Sequence, residues 1–332
     1  MSSVQTIVVA DRDDGLRLDR WFKTHFPALN HGALEKLLRT GQVRVNGGRV
    51  KANRRVEAGE SIRVPPISAA PTAEPPAAAP RKGDADLIRK MTIFEDDHLL
   101  ALNKPFGLAV QGGTKTKTHI DGMLAALERD GERPRLVHRL DADTGGLLIV
   151  AKTRKAAAAL SKAFQGRGVE KTYWGIVVGS PPHREGTINL SIAKKMIWAE
   201  DGQSERMTAA DDDEAKTAIT DYMTLDKTGP VTFLALKPVT GRTHQLRVHC
   251  AAMGAPIVGD RKYGGPRARI EGAGEGLHLF CRSMTFPHPA TGKPTTITAP
   301  LTGLMKASFS LFEFNENAKV TWPDLPWKKN AK

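Results

Sequence analysis

A proline- and alanine-rich segment divides the chain into two unequal parts. This segment, ISAAPTAEPPAAAPRKGDAD at residues 67–86, contains almost no large apolar side chain. Such a composition buries too little apolar surface to fold, and its prolines stiffen the backbone. We therefore predict a linker at 67–86, a small unit at 1–66 before it, and one large domain at 87–332 after it.

The chain is strongly basic. Its 332 residues include 49 Lys and Arg against 36 Asp and Glu, a formal net charge of +13. A protein with this balance often has a polyanionic partner, and nucleic acid is the foremost one. A basic surface that only keeps the protein in solution is the alternative, because net charge bears on association rather than on fold.

Composition disfavours membrane and secreted proteins. No apolar stretch approaches the roughly 20 residues of a membrane span, and the N-terminal residues lack the pattern of a secretory signal. The two cysteines, Cys250 and Cys281, provide neither a disulfide framework nor a zinc cluster. We therefore expect a cytoplasmic protein with no membrane partner.

Periodicity in the small unit predicts two helices followed by a hairpin. The first helix is indicated by apolar residues at helical spacing: Leu18, Trp21, Phe22 and Phe26. The second lies between Asn30, a good N-cap, and Gly41, which suits a helix end. The pair Asn46–Gly47 then predicts a β-hairpin turn.

Basic side chains accompany this second helix and hairpin. Residues 1–66 hold 12 Lys and Arg against 7 Asp and Glu, a net charge of +5. Four of them lie on or beside the two elements: Lys36, Arg39, Arg44 and Arg49. A basic helix beside a hairpin can follow a phosphate backbone, so we take Lys36, Arg39 and Arg44 as candidate RNA-binding residues. Solvated charges on a generic small domain are the alternative.

The larger part is rich in predicted strands and has few long helices. Strand-like segments include GGLLIVAKT, KTYWGIVVG, FLALKPVTGR, LHLFCRSMTF and TTITAPL, whereas HIDGMLAALERD and RKAAAALSKAFQ are typical of helices. Strands and helices do not alternate regularly, which favours an α+β fold with a mixed or antiparallel sheet. The polar and acidic stretch 199–217 is expected to form an exposed loop.

Polar side chains stand out in three segments: 137–153, 170–179 and 236–265. In the third, Thr243 can cap a helix over 244–253. Arg247 would then lie in its first turn, where a cation is poorly placed for the helix dipole. We therefore expect an anionic partner for Arg247, and Asp141 is a candidate because guanidinium suits bidentate pairing with a carboxylate.

Metal, nucleotide and nucleophile motifs are absent from the sequence. On paper a metal site could combine His138, Asp141, Asp143, His244 and His249. However, His244 and His249 would lie about 140° apart on a helix, and no HExxH or cysteine cluster occurs. The chain also lacks a P-loop, G-x-G-x-x-G and G-x-S-x-G. We predict no metal and no cofactor.

The same segments resemble a known family. HRLDADTGGLLIVAKT, EKTYWGIVVG and GRTHQLRVHCAAMGAPIVGDRKYG are similar to the three signatures of the RluA/RluC/RluD-type RNA pseudouridine synthases. LLALNKPFGLAVQGG resembles the opening of that catalytic domain, and LHLFCRSMTFPHPATGKPTTITAPL resembles its closing strands. The small unit resembles an RNA-binding module first seen in a small-subunit ribosomal protein. The resemblance implies an α+β, mixed-sheet catalytic domain with a small N-terminal α/β RNA-binding module.

The resemblance also implies roles for individual residues. Asp141 would be the catalytic carboxylate, and Tyr173 would stack on the uracil and help remove its carbon-5 proton. Arg247 would pair with Asp141, and Arg139 would enter the RNA stack that the flipped base has left. Arg242 and His244 would contact phosphate or sugar. One departure is Thr144-Gly145-Gly146 where the family usually has Thr-Ser-Gly, so a serine hydroxyl is missing.

The function implied is conversion of uridine to pseudouridine in large-subunit ribosomal RNA, as in the RluC-like branch, without a cofactor. We expect the protein to be a monomer. Two alternatives remain open. One is a non-catalytic RNA-binding factor in ribosome assembly, and the other is a tRNA-directed pseudouridine synthase of the same fold.

Overall fold

The computed structural model describes residues 4–67, 81–112, 116, 118–166, 168–199, 202–210 and 215–322. The chain divides into two compact units, Met1–Ala79 and Pro80–Lys332. Residues 68–80, the greater part of the predicted linker, lie outside the described ranges. A helix nevertheless begins at Asp84, so the last residues of the predicted linker are helical.

The small unit contains strands β1 (Gln5–Val8), β2 (Arg44–Val45) and β3 (Ser61–Val64) and helices α1 (Leu18–His25) and α2 (His31–Arg39). The strands form an antiparallel sheet in the order β1-β3-β2. Both predicted helices are confirmed, and the Asn30 side chain accepts from the Ala33 N–H at the start of α2. Leu18, Trp21 and Phe22 lie in the core.

The hairpin prediction is only partly right. Asn46 and Gly47 both have positive φ, 48° and 77°, and Val45 and Gly48 exchange two backbone hydrogen bonds around them. The turn is therefore present. As a strand, however, β2 pairs with β3, and the residues that follow the turn pair with β2 only through the Val45–Gly48 bridge.

The larger unit contains strands β4–β15 and helices α3–α7. Its strands are β4 (Thr92–Glu95), β5 (Leu99–Lys104), β6 (Arg135–Leu136), β7 (Gly145–Ala151), β8 (Glu170–Val178), β9 (Glu185–Asn189), β10 (Ile192–Ala199), β11 (Gly202–Ala209), β12 (Ile219–Thr228), β13 (Val231–Pro238), β14 (Leu279–Pro287) and β15 (Pro294–Thr298). Its helices are α3 (Asp84–Met91), α4 (Ile120–Met123), α5 (Arg154–Gln165), α6 (Gln245–Ala252) and α7 (Gly303–Leu311).

Ten of these strands form one sheet with the central order β4-β5-β7-β14-β8-β13-β12-β9, while β6 pairs with β7 and β15 with β14. Strands β7 and β14 run parallel, and the other pairs in this sheet are antiparallel. The predicted α+β fold with a mixed sheet is therefore confirmed. Every residue of β7 is buried, because the strand lies inside the sheet and is covered on both faces.

The prediction of an exposed loop over 199–217 is wrong for its central part. Strand β11 pairs antiparallel with β10 over eight residues, from Ile192 opposite Ala209 to Ala199 opposite Gly202. The sequence of β11, GQSERMTA, is mostly polar and lacks the apolar alternation by which a core strand is predicted. Residues 200–201 and 211–214 of the predicted loop lie outside the described ranges.

Within the described ranges, no helix is long and apolar enough to cross a bilayer.

Candidate active site

Asp141 lies in a turn directly before β7, and His138 ties this turn to the strand. The His138 Nε2 accepts a hydrogen bond of 2.8 Å from the Ile149 N–H, and its ring stacks on Phe164 with centroids 4.4 Å apart. Burial lowers the pKa of His138 well below its ordinary value. A neutral imidazole matches the acceptor role of Nε2, so His138 is a structural anchor for the Asp141 turn.

Lys104 is a second anchor, and it was not predicted from the sequence. Its ammonium group is fully buried at the end of β5 and donates to the carbonyl oxygens of Pro105, Leu108 and Ala142 at 2.8–2.9 Å. Burial lowers the pKa of Lys104 to about 8, against the opposing effect of nearby carboxylates. The loop after β5 and the Asp141 turn are therefore held together. A lysine at the end of a strand is ordinarily exposed, so the segment LLALNK contains no signal of its burial.

Lys104→Met is expected to lower the free energy of unfolding by about 1–2 kcal/mol. The change removes the ammonium donor from three carbonyl oxygens, and losing a donor costs about 1–3 kcal/mol for an acceptor that water cannot reach, while removal of a buried charge offsets part of that cost. Urea denaturation measures the difference. Lys152→Met is the control, since the Lys152 ammonium bonds to Glu95 and to the Asp96 carbonyl from a partly exposed position where water can replace it. Equal losses in the two variants would contradict the anchoring role.

His244 faces Asp141 from the start of α6. Its Nε2 lies 3.7 Å from the Asp141 Oδ2, and its Nδ1 lies 2.6 Å from the Tyr263 hydroxyl oxygen. Burial lowers the pKa of His244, although the charge of Asp141 opposes the effect. The neutral tautomer with its proton on Nε2 presents a donor to Asp141 and leaves Nδ1 to accept from Tyr263. His244 has a φ of 54° and is itself the N-cap of α6, so the prediction of Thr243 as N-cap is wrong.

The predicted ion pair between Arg247 and Asp141 is also wrong. The Arg247 Nε and Nη2 donate to the two carboxylate oxygens of Asp260 at 2.9 and 2.7 Å. Both side chains are buried, and Asp260 also accepts from the backbone N–H groups of Lys262 and Tyr263. The Arg247 guanidinium lies 5.1 Å from the centre of the Tyr263 ring. An anionic partner was correctly expected, but a closer carboxylate within the same signature segment provides it.

These residues form a chain of contacts that ends at Asp141. Arg247 is fixed by Asp260 and lies over the Tyr263 ring, Tyr263 bonds to His244, and His244 faces the Asp141 carboxylate. Asp260 and Tyr263 were not predicted from the sequence as site residues. Their signal was the run GDRKYGG at the end of the third segment, which places an acid and a tyrosine beside two basic residues.

Two cavities, of about 910 and 390 Å³, meet at Asp141. Five residues line both of them: Arg139, Leu140, Asp141, His244 and Arg247. The smaller cavity adds Tyr173 and Arg242, and the larger adds Phe106 and the loop that follows it. Asp141 therefore stands in the wall between two spaces, each within the roughly 300–1,000 Å³ typical of ligand pockets.

Three other predicted site residues border this wall. Arg139 is exposed at the edge of both cavities, and the Arg242 Nε donates to the Thr217 carbonyl at 3.1 Å. Tyr173 is 9% exposed, and burial raises the pKa of its phenol well above the ordinary value. The neighbouring Cys281 thiol adds to the rise, and burial raises the pKa of Cys281 itself to about 12. Both groups are therefore neutral at physiological pH.

The predicted RNA-binding residues of the small unit lie at its surface. Lys36 and Arg39 are exposed on α2, and Arg44 is exposed on β2, with its guanidinium donating to the carbonyls of Gly41 and Gly47. The structure therefore leaves Lys36 and Arg39 on an exposed helix face.

The activity implied by the sequence resemblance is expected to survive exhaustive chelation. The histidines considered for a metal site already have partners, since the two ring nitrogens of His249 contact Thr220 and the Leu190 carbonyl at 3.0 Å. No group of three His, Cys, Asp or Glu in the described part of the chain could hold a metal ion. The test is activity after EDTA treatment, on RNA whose fold has been checked without magnesium. Loss of activity that only stoichiometric zinc or iron restores would contradict the prediction.

Comparison with known proteins gives a consistent set of matches. Residues 98–252 match the family model described as RNA pseudouridylate synthase. The ribosomal large subunit pseudouridine synthase C of Salmonella typhimurium is 33% identical over 309 residues, which cover 92% of this chain and 95% of that protein. The protein of the same name from Rickettsia bellii is 36% identical over 300 residues, which cover 89% and 97%.

Solved structures with a similar fold carry related names. Human RNA pseudouridylate synthase domain containing 4 aligns with a TM-score of 0.59 and 27% identity, covering 70% of this chain and 97% of that one. Human RNA pseudouridylate synthase domain containing 1 aligns with a TM-score of 0.53 and 26% identity, covering 63% and 82%.

Proposed function

The chain belongs to the RNA pseudouridylate synthase family, and from this premise we propose that it isomerises specific uridines of large-subunit ribosomal RNA, with Asp141 as its catalytic carboxylate. The position of Asp141 is the observation that carries the proposal. Its turn is anchored by His138 and Lys104, and its side chain stands between two cavities. The names of the bacterial relatives support ribosomal RNA as the substrate.

The reaction needs only one carboxylate. The bond between ribose carbon 1 and uracil N1 breaks, the uracil rotates, and carbon 1 rejoins the base at carbon 5. Carbon 5 then loses its proton, and N1 carries one, so no redox change occurs. Glycosidases typically need a second carboxyl group to protonate the leaving group, but uracil leaves as a stabilised anion. Asp141 acts in this reaction either as the nucleophile or as the base.

We assign the smaller cavity to the target uracil. Tyr173, Arg139 and Arg242 all line it, and the two arginines are exposed whereas Tyr173 is buried. The raised pKa of Tyr173 makes a phenolate base unfavourable, so its stacking role is favoured over proton removal. Access to a base inside a duplex requires flipping, and Arg139, exposed at the border of both cavities, is placed to fill the vacated position.

The remaining residues act through position or charge. Arg247 has no direct bond to Asp141, so we assign it a positioning role through Tyr263 and His244. Arg242 is assigned to phosphate contact at the mouth of the smaller cavity. His244 is next to Asp141 and is assigned to the ribose or its phosphate. We further propose that the enzyme acts as a monomer in the cytoplasm. The described residues of one chain line both cavities, and the names of the bacterial relatives refer to the ribosomal large subunit.

Release of tritium from carbon-5-labelled uridine tests the function. The purified protein is incubated separately with labelled large-subunit ribosomal RNA and labelled transfer RNA. The proposal predicts release from the ribosomal RNA. Release from transfer RNA alone would indicate the tRNA-directed alternative, and tight binding to ribosomal RNA without release would indicate a non-catalytic assembly factor.

Deletion of residues 1–66 is expected to weaken RNA affinity more than it slows the chemical step. The small unit has its own core and a net charge of +5, with Lys36 and Arg39 exposed on α2. Each phosphate contact that is lost flattens the slope of log affinity against log salt concentration by about 0.7–0.9. Binding of structured ribosomal RNA across a salt series measures this slope. An unchanged slope in the truncated protein would show that the small unit does not bind RNA.

A further inference from the structure

Phe106 occupies a space that is open only because residue 145 is glycine. A Cβ atom at Gly145 would lie 2.7 and 2.8 Å from the Cζ and Cε2 of Phe106, closer than such atoms approach. The far end of the phenyl ring therefore rests on the Gly145 backbone. Any serine at this position, as in the usual Thr-Ser-Gly pattern, would require the ring to move. The glycine and the phenylalanine are thus coupled features of this chain.

The backbone on either side of Phe106 is also fixed relative to the Asp141 turn. The preceding residues are held by the Lys104 ammonium group, which bonds to the carbonyls of Pro105 and Ala142. The Gly107 N–H donates to the same Ala142 carbonyl at 2.9 Å. Residues on both sides of Phe106 are therefore bonded to the turn that carries the catalytic carboxylate.

Each cavity beside Asp141 has one carbocyclic aromatic side chain among its described lining residues. Tyr173 lines the smaller cavity and Phe106 lines the larger one. The larger cavity, of about 910 Å³, has room for a nucleotide beside the one that reacts. RNA-binding proteins hold unstacked bases against aromatic rings, and every base can stack because each has a π-face.

We infer that Phe106 is a stacking surface for an unpaired base next to the target uridine, held in the larger cavity while the uracil occupies the smaller one. The inference rests on the proposed function. Phe106 would thereby help to select RNA in which a neighbour of the target can leave the stack. Gly145 contributes by leaving room for the ring.

The affinity of the protein for RNA that contains a single abasic site tests this inference. Stem-loops from large-subunit ribosomal RNA that bind the wild-type protein are prepared with each loop base removed in turn to give an abasic site. Phe106→Ala is expected to raise the dissociation constant for the intact stem-loop roughly 5- to 150-fold, the range of base–aromatic stacking. At one loop position, base removal should weaken the wild type by a similar factor and the Phe106→Ala variant hardly at all. Equal weakening of both proteins at every position would overturn the inference.

Two further variants separate stacking from packing. Phe106→Leu fills the apolar space without a planar ring, whereas Phe106→His keeps a planar ring with less apolar volume. Stacking predicts that the histidine variant retains more affinity than the leucine variant, and the reverse order would indicate a purely structural residue. Gly145→Ser alone should weaken RNA binding, because the serine side chain displaces the Phe106 ring. The same substitution should have little effect on RNA binding when it is added to Phe106→Ala.

Turnover is measured on the same stem-loops by tritium release. If no stem-loop is isomerised by the wild type, the proposed function fails, while the affinity series still reports whether Phe106 stacks on a base. If stem-loops are isomerised but no position couples to Phe106, the proposed function stands and only this inference fails.

Discussion

Asp141→Asn is expected to lower the single-turnover rate of uridine isomerisation by roughly 10⁴-fold or more, the scale seen when a reacting group is lost. The amide is nearly isosteric with the carboxylate but is neither a nucleophile nor a base. The turn is held through the Ala142 carbonyl and the His138 ring rather than through the Asp141 side chain. Fold and RNA affinity should therefore change little. Tritium release at saturating enzyme and filter binding measure the two effects.

Asp143→Asn is the matched control. Asp143 lies two residues further along the same turn, is exposed and lines the larger cavity, so its change removes the same charge at nearly the same place. A purely electrostatic role for this turn predicts similar losses in the two variants. If Asp141 is catalytic, Asp141→Asn should lose most of the single-turnover rate and Asp143→Asn should lose little. Wild-type turnover by Asp141→Asn would contradict the mechanism.

Arg247→Lys is expected to slow the chemical step about 100-fold although it preserves the charge. The guanidinium donates to both oxygens of Asp260 and lies over Tyr263, and an ammonium group cannot reproduce this planar, two-donor geometry. Tyr263 and His244 would then shift relative to Asp141. A displacement of about 1 Å at a reacting centre can cost about 100-fold in rate. RNA affinity should change far less, because Arg247 is buried.

Two comparisons test the route of this effect. Arg242→Lys should be tolerated, because a phosphate contact at an exposed site needs charge more than geometry. Asp260→Asn should slow the reaction as Arg247→Lys does, since it breaks the same buried pair from the other side. Single-turnover kinetics at saturating enzyme compare all three variants. A full rate for Arg247→Lys together with a loss for Arg242→Lys would reverse the roles of the two arginines.

The sequence predicted those features that depend on local patterns. Apolar spacing predicted α1, the Asn30 cap predicted the start of α2, and the continuous apolar run predicted the buried strand β7. The same run placed Asp141 just before a buried strand. The buried strand β7 fixes the turn before it, and the polar residues of that turn, Arg139 and Asp141, line the two cavities.

The errors concern contacts that only the fold determines. Helix-dipole reasoning predicted that Arg247 needs an anion, but the choice between Asp141 and Asp260 depends on how the chain turns after α6. Lysine is mostly a surface residue, so nothing in the sequence marked Lys104 as buried. The sequence revealed glycine at position 145, whereas its packing against Phe106 follows from the arrangement of β5 and β7.

Pseudouridine mapping in cells tests whether the protein modifies large-subunit ribosomal RNA and whether Asp141 is needed for it. Ribosomal and transfer RNA are mapped from cells that lack this gene and from the same cells complemented with the wild type or with Asp141→Asn. We expect particular pseudouridines in large-subunit ribosomal RNA to disappear without the gene and to return with the wild type but not with Asp141→Asn. Unchanged large-subunit pseudouridines in the deletion strain, or their return with Asp141→Asn, would contradict this expectation.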